Sequence, residues 1–290
     1  MSASPTEFLH QGKVDEALAA LQAQVREQPA VVKHRIFLFQ LLCVAGQWDR
    51  ALNQLNVCRE MDASTLVMAQ TYQEAIACEA FRAEVFAGRR TPVFFGQPAE
   101  WMALVNQALA LTVAGRHGEA QRVREGALEA AAPSAGALTV VDPGDEASSA
   151  PRRVEFEWIA DADMRLGPVL EAVVNGKYYW IPFERIHRIE FEAPTDLRDA
   201  VWTPARFTWV NGGTVVGLVP TRYPGSESQP EGLLRLARRT DWLEVGEGVF
   251  HGLGQRMLAT ESGEFPLMDL RTIELHNPPT NAEANEGIDG

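Results

Sequence analysis

The segment Gly12-Lys13-Val14-Asp15-Glu16-Ala17 recurs in altered form as Gly46-Gln47-Trp48-Asp49-Arg50-Ala51, with the two glycines 34 positions apart. A third copy, Gly115-Arg116-His117-Gly118-Glu119-Ala120, follows 69 positions after the second, about two further periods. A 34-residue period is that of tetratricopeptide-like helical hairpins. It therefore confines the first half of the chain to a short stack of antiparallel helices. Glycine at each copy permits the left-handed residue that closes a helix. The small Ala17, Ala51 and Ala120 let the following helix pack closely on its neighbour.

Around each copy the apolar spacing is helical. Val14, Ala17, Leu18, Leu21 and Val25 form one stripe, and Pro29 stands where that helix stops. Trp48, Ala51, Leu52, Leu55 and Cys58 form the next. Val31 to Val44 is apolar nearly all round, which predicts a helix buried between others. Ser64 suits the cap of a helix from about Thr65 to Val85, a central repeat that has lost the motif. Pro92 to Pro98 reads as a loop, and Pro98 suits the start of a helix through Trp101, Val105, Leu109 and Val113. Six or seven helices are expected over residues 1–132.

From Pro133 to Pro151 the composition shifts to Ala, Ser, Gly, Pro, Asp and Glu, a linker signal, although Leu138 to Val141 has the character of a stray strand. Residues 152–276 then carry short β-branched and aromatic runs: Tyr178 to Ile181, Ile189 to Phe191, Phe207 to Val210, Val215 to Val219 and Ile273 to Leu275. Asn175-Gly176 and Asn211-Gly212 are hairpin-turn dipeptides between such runs. Phe183 to Phe191 aligns with Leu267 to Leu275, each a short turn leading into an Ile-Glu-apolar strand. Strand, single helical turn and final strand is how small SH3-like barrels end, so one or two such barrels are expected. The polar tail 277–290 is expected to be disordered. The fold class is α+β, a tetratricopeptide-like helical half followed by a β-rich half.

Composition narrows the function. With 290 residues and 46% hydrophobic content, each half has enough apolar material for a core, and the net charge of −13 opposes a nucleic-acid partner. No signal-peptide pattern opens the chain. The apolar stretch Ile36 to Gly46 is too short to span a bilayer, so no membrane insertion is expected. Cys43, Cys58 and Cys78 form no CxxC pair and read as buried hydrophobes in the reducing cytoplasm. The six histidines lie scattered, and Gly212-Gly213-Thr214 lacks the Lys and helix of a phosphate loop, so no metal or other cofactor is expected. Asp161 and Asp163 are the one pair with catalytic character: two carboxylates at i, i+2 can bind a cation or do acid–base work. The competing reading, favoured because Asp so often marks turns, is an Asx turn with an ion pair to Arg165. Tyr178, Tyr179, Trp180 and Trp202 likewise suit either a ligand groove or, the favoured reading, a packed core.

Several long segments carry a resemblance. Arg35 to Ala51 (RIFLFQLLCVAGQWDRA), Val85-Phe86-Ala87-Gly88, Gly96 to Trp101, Phe156 to Pro168 (FEWIADADMRLGP), Tyr178 to Glu184 and Pro220 to Pro224 resemble, in order, the ImpE/TagJ family of type VI secretion accessory proteins. The resemblance covers most of the chain. It implies a non-enzymatic cytoplasmic adaptor that binds the N-terminal helix of the small contractile-sheath subunit and influences how a ClpV-type AAA+ unfoldase meets the contracted sheath. On that basis the inward positions of the repeats, Ile36, Gln40, Cys43, Met102, Val105 and Leu109, are candidates for a groove that takes the partner helix. Each is equally well placed to be inter-helix core, with Trp48 and Trp101 as packing residues. Two alternatives stay open: a tetratricopeptide adaptor for an unrelated complex, and a carboxylate-dependent enzyme using Asp161 and Asp163.

Overall fold

A computed structural model describes residues 3–141 and 150–277. Seven α-helices occupy the described part of the first half: α1 (Pro5–His10), α2 (Val14–Glu27), α3 (Val32–Val44), α4 (Trp48–Met61), α5 (Leu66–Phe86), α6 (Glu100–Val113) and α7 (His117–Ala130). The strands, in chain order, are β1 (Val93–Phe94), β2 (Gly136–Val140), β3 (Arg152–Phe156), β4 (Ala160–Asp161), β5 (Val169–Val174), β6 (Lys177–Pro182) and β7 (Ile186–Phe191). They continue with β8 (Trp202–Trp209), β9 (Thr214–Pro220), β10 (Thr240–Gly246), β11 (Val249–Gly254), β12 (Met257–Thr260), β13 (Gly263–Pro266) and β14 (Leu270–Leu275). A short helix, α8 (Gly232–Arg235), precedes β10.

The repeated glycines do what their spacing predicts. Gly12, Gly46 and Gly115 have φ of +73°, +66° and +73° and join α1 to α2, α3 to α4 and α6 to α7. The next amide in each case closes the preceding helix, Lys13 N–H onto the Phe8 carbonyl, Gln47 onto Leu42 and Arg116 onto Leu111, at 2.8–2.9 Å. The central repeat departs from this plan. Its helix α5 begins after a single 3-10 turn capped by Asp62, whose carboxylate accepts the Ser64 amide at 2.9 Å, so Asp62 rather than Ser64 is the capping side chain. It ends at Gly88 with the same closure, Arg89 N–H onto the Glu84 carbonyl, but no helix follows. Instead β1, within the expected loop 92–98, lies parallel beside β6 with Val93 opposite Tyr179.

The nine-stranded sheet has the order β1-β6-β5-β9-β8-β7-β14-β2-β3. It is open at β1 and β3, so among the described residues there is no closed barrel of the kind the strand–turn–strand motif suggested. The duplicated segments are real counterparts. Each is a strand ending in proline, a 3-10 turn (Phe183–Arg185 or Leu267–Asp269) and a strand. The two final strands pair antiparallel with Ile189 opposite Ile273, a local two-fold arrangement. β2 falls inside the segment expected as a linker, yet it is an interior strand paired to β14 and β3 with Leu138 fully buried. Residues 142–149 and the tail from 278 lie outside the described residues. Asn175 and Gly176 both have positive φ and turn the β5–β6 hairpin as their dipeptide predicts.

One apolar core is built from the β half, with Phe95 packed against it, and the larger one is shared. Phe39, Leu42, Tyr72, Ile76 and Met102 from the helices pack in the same cluster as Val169, Val173, Tyr178, Trp180 and Trp202 from the sheet. Trp202 meets Trp48 and Tyr72 at ring separations of 6.0 and 5.6 Å, and Trp180 sits between Phe86 and Phe94 at 5.8 and 6.0 Å. A fragment ending at residue 132 would expose this helical face. Such a fragment is expected to lose the cooperative unfolding transition of the full chain and to bind a hydrophobic dye, which thermal circular dichroism and dye fluorescence will show.

Candidate functional site

The seam between helices and sheet is lined with charge. Arg82 of α5 grips Glu171 of β5 with two parallel hydrogen bonds, Nε to Oε1 at 2.6 Å and Nη2 to Oε2 at 2.9 Å. Arg256 bonds the same carboxylate and also Asp161, while the Tyr178 hydroxyl donates to Glu171 and accepts from Trp180 Nε1 at 2.7 Å. Glu171 and Arg256 are completely buried. Burial pushes the Glu171 carboxyl up, but the two guanidinium groups and the tyrosine outweigh it and hold its pKa at about 2. For Asp161 burial wins over Arg256, and with Asp163 and Glu171 nearby its pKa rises to about 6.

Asp161 and Asp163 settle into the turn reading. Asp161 Oδ1 accepts the Asp163 amide at 2.9 Å, and Asp163 Oδ1 accepts the Arg165 amide at 2.8 Å. Asp163 also pairs with the Arg165 guanidinium and accepts the Gly252 amide at 2.8 Å. Burial opposes its ionisation, but these partners keep its pKa below the ordinary value. All four carboxylate oxygens are therefore engaged within the chain. These bonds fix the β4–β5 connection, which Arg124 of α7 then reaches through the Met164 carbonyl at 2.6 Å. Among the described residues no group of three or more His, Cys, Asp or Glu side chains gathers into a metal-sized site.

Arg222 has no ion-pair partner among the described residues and solves its burial differently. Its guanidinium donates to the Cys43 and Val44 carbonyls at 2.9 and 2.7 Å and to the Arg235 carbonyl at 2.6 Å. These are carbonyls in the last turns of α3 and α8, where the helix dipole is negative. The residue from the β half thus caps a helix of the first half.

Beside this seam lies a cleft of about 400 Å³ between the α6–α7 hairpin and the 158–168 segment. Val105, Ala108, Leu128, Trp158, Met164 and Leu166 give it apolar walls. Leu128 and Trp158 remain 48% and 39% exposed.

Residues 153–274 match the model of the family described as ImpE protein. Over 277 residues, 95% of this chain and 92% of the relative, the sequence is 52% identical to a Pseudomonas aeruginosa protein named type VI secretion system accessory component TagJ. The chain belongs to the ImpE/TagJ family. The crystal structure of a Vibrio parahaemolyticus protein, 23% identical, superposes with a TM-score of 0.80 over 93% of this chain and 97% of that one, and so shares its fold.

The ImpE/TagJ resemblance in the sequence pointed to six groove positions, and the structure distributes them unequally. Cys43 and Met102 are fully buried, and Gln40, Val105 and Leu109 nearly so; all but Gln40 belong to the shared core cluster. Ile36 keeps partial exposure, and of the six Val105 is the one that lines the cleft beside α7. Tyr178, Trp180 and Trp202 are core, and the three cysteines are free thiols inside the fold. No helix among the described residues is long and apolar enough to cross a membrane. The seam residues of this chain that sequence reasoning missed are Arg82, Glu171, Arg222 and Arg256. For Glu171 the signal was a charge inside an otherwise apolar run, Val169-Leu170-Glu171-Ala172-Val173-Val174.

Replacing Glu171 by Gln leaves two buried guanidinium groups without their shared anion, an expected loss of about 3–5 kcal/mol read by urea denaturation. The pH dependence has a definite sign. Glu171 at about 2 in the fold and 4.5 ordinarily contributes stability above pH 4.5 that drains as pH falls toward 2. Asp161 at about 6 against 3.8 binds its proton preferentially in the fold, so acidification through that window favours folding. Stability is therefore expected to hold or rise from pH 6 to 4.5 and fall below it, with the acid-side fall reduced in Glu171→Gln.

Proposed function

We propose that this chain is a non-enzymatic, cytoplasmic adaptor of the type VI secretion apparatus, one that holds the N-terminal helix of the small contractile-sheath subunit against its helical half. In this role it influences how a ClpV-type AAA+ unfoldase meets the contracted sheath. The observation that carries the reading is the 52% identity, over 95% of the chain, to a protein named as an accessory component of that system. The chemistry of the seam supports it, because Asp161, Asp163 and Glu171 are committed to arginines and backbone amides and work as structural anchors. The helical hairpins, taken as tetratricopeptide-like repeats, supply a surface of the kind that receives an amphipathic helix. Of the candidate groove residues, Ile36 and Val105 have access to a partner, while Gln40, Cys43, Met102 and Leu109 form the backing. The β-rich half, with its duplicated SH3-like strand–turn–strand units, fixes the helices in place. No cofactor, nucleic acid or membrane insertion enters the mechanism.

A fluorescence-anisotropy titration of the intact protein with a labelled peptide of the sheath subunit's N-terminal helix tests the proposal. Saturable binding at micromolar Kd or tighter, about −8 kcal/mol, is expected. A folded protein that does not bind the peptide, and that recovers no sheath subunit in a pull-down, would make the chain an adaptor for a different complex.

A further inference from the structure

The cleft beside α7 has features that the seam does not explain. Its floor and walls, Val105, Ala108, Leu128, Trp158, Met164 and Leu166, are apolar, and its mouth leaves Leu128 and Trp158 partly in water. Large apolar side chains clustered around a concavity and rimmed by polar ones mark sites that bury against something. The backbone that carries Trp158 is anchored: the Glu157 amide bonds Glu261 at 2.9 Å and the Trp158 amide bonds the same carboxylate.

The rim has one sign. Glu125 on α7 and Glu264 on β13 both line the cleft and both are exposed. The cation among the lining residues, Arg124, is buried, and each of its three nitrogens donates within the chain, to the Met164 carbonyl, Gln121 and Thr112. Glu129 extends the acidic row one turn along α7. A second copy of this chain, with a net charge of −13, would bring like charge to like. Gln121, Glu125 and Leu128 recur at i, i+4 and i+7 on one helix, a wall about 10 Å long, which matches the spacing at which a docked helix presents its own anchors.

We propose that this cleft is the seat of a basic amphipathic helix from a protein partner, which inserts apolar side chains between Leu128 and Trp158 and places Lys or Arg opposite Glu125 and Glu264. The proposal rests on the helix-capture reading and gives it a location at the junction of the two halves, away from α3.

The test uses the full-length protein and two probes, the labelled sheath-subunit helix peptide and a short synthetic helix of Leu and Lys residues. Leu128→Asn and Trp158→Ser, which change no charge, are each expected to weaken both probes by about tenfold, with melting transitions retained. Glu125→Gln combined with Glu264→Gln is expected to flatten the salt dependence of binding. Val67→Asn, at an apolar residue 76% exposed on α5 and not part of the cleft, is expected to change nothing. If the sheath peptide binds and both cleft variants bind it as well as wild type, while Ile36→Glu does not, the cleft is overturned and helix capture survives on α3. If the sheath peptide fails on wild type, the proposed function falls. The Leu–Lys helix then decides the cleft alone, and its failure to bind wild type, or equal binding to the cleft variants, overturns it. Self-association in sedimentation that Leu128→Asn abolishes would assign the cleft to a second copy and overturn the proposal too.

Discussion

One buried carboxylate, Glu171, holds the molecule's two halves in register. It lies on a strand, yet its partners arrive from a helix 89 residues earlier and a connection 85 residues later. Removing three or four charges from water costs several kcal/mol per ion, and even good pairing recovers little beyond that cost. The network's net contribution to stability is therefore small. Its effect is directional: a docking of helices on sheet that misplaced Arg82 or Arg256 would leave an unpaired charge inside, a penalty that apolar packing alone does not impose. Arg222 adds a second constraint of the same kind, since only one placement lets it reach the last carbonyls of both α3 and α8.

This explains the departure of the central repeat from its neighbours. In the other hairpins, α2, α4 and α7 begin directly after the glycine. After α5 the chain instead crosses to the sheet as β1, and α5 itself is turned toward the β half. Tyr72 packs on Trp202, Glu79 accepts from the Trp202 indole at 3.0 Å, Arg82 meets Glu171, and Phe86 packs on Trp180. A helix that must satisfy these contacts has no freedom to keep the repeat pattern.

What was legible in the sequence follows from range. Gly12, Gly46 and Gly115, Asn175-Gly176, and the Asp161–Arg165 turn are all local: the backbone geometry they require is written within a few residues, and each was readable. The aligned segments 183–191 and 267–275 were readable because duplication is itself a pattern. β5 was not, because six consecutive buried residues carry no alternation. β2 was legible only as a stray strand at Leu138 to Val141; its interior place between β14 and β3 was not, because the small and polar composition around it resembles a linker. The seam escaped because its pairs are separated by tens of residues and no spacing rule reaches that far. Ile36, Gln40, Cys43, Met102, Val105 and Leu109 are the inward face of a stack read from its repeats alone; in the fold Ile36 is half-buried and the other five are buried, because what packs across that face comes from elements distant in the sequence.

The cleft is a by-product of the same architecture. Arg124 and Leu128 tie α7 to the 158–168 segment at a carbonyl and at the flank of Gly167, which leaves space between the α6–α7 hairpin and β12–β13 that no side chain among the described residues fills. Its energetics limit what it can do alone. Burying one large apolar side chain is worth roughly 1.5–3 kcal/mol, and an exposed rim pair about 0–1 kcal/mol. A micromolar complex needs about 8 kcal/mol beyond the cost of association. Two anchors and two rim charges fall short of that sum, so a helix seated here has to continue along the exposed face of α7. The cleft then sets the register of the bound helix, and the length of contact beyond it sets the affinity.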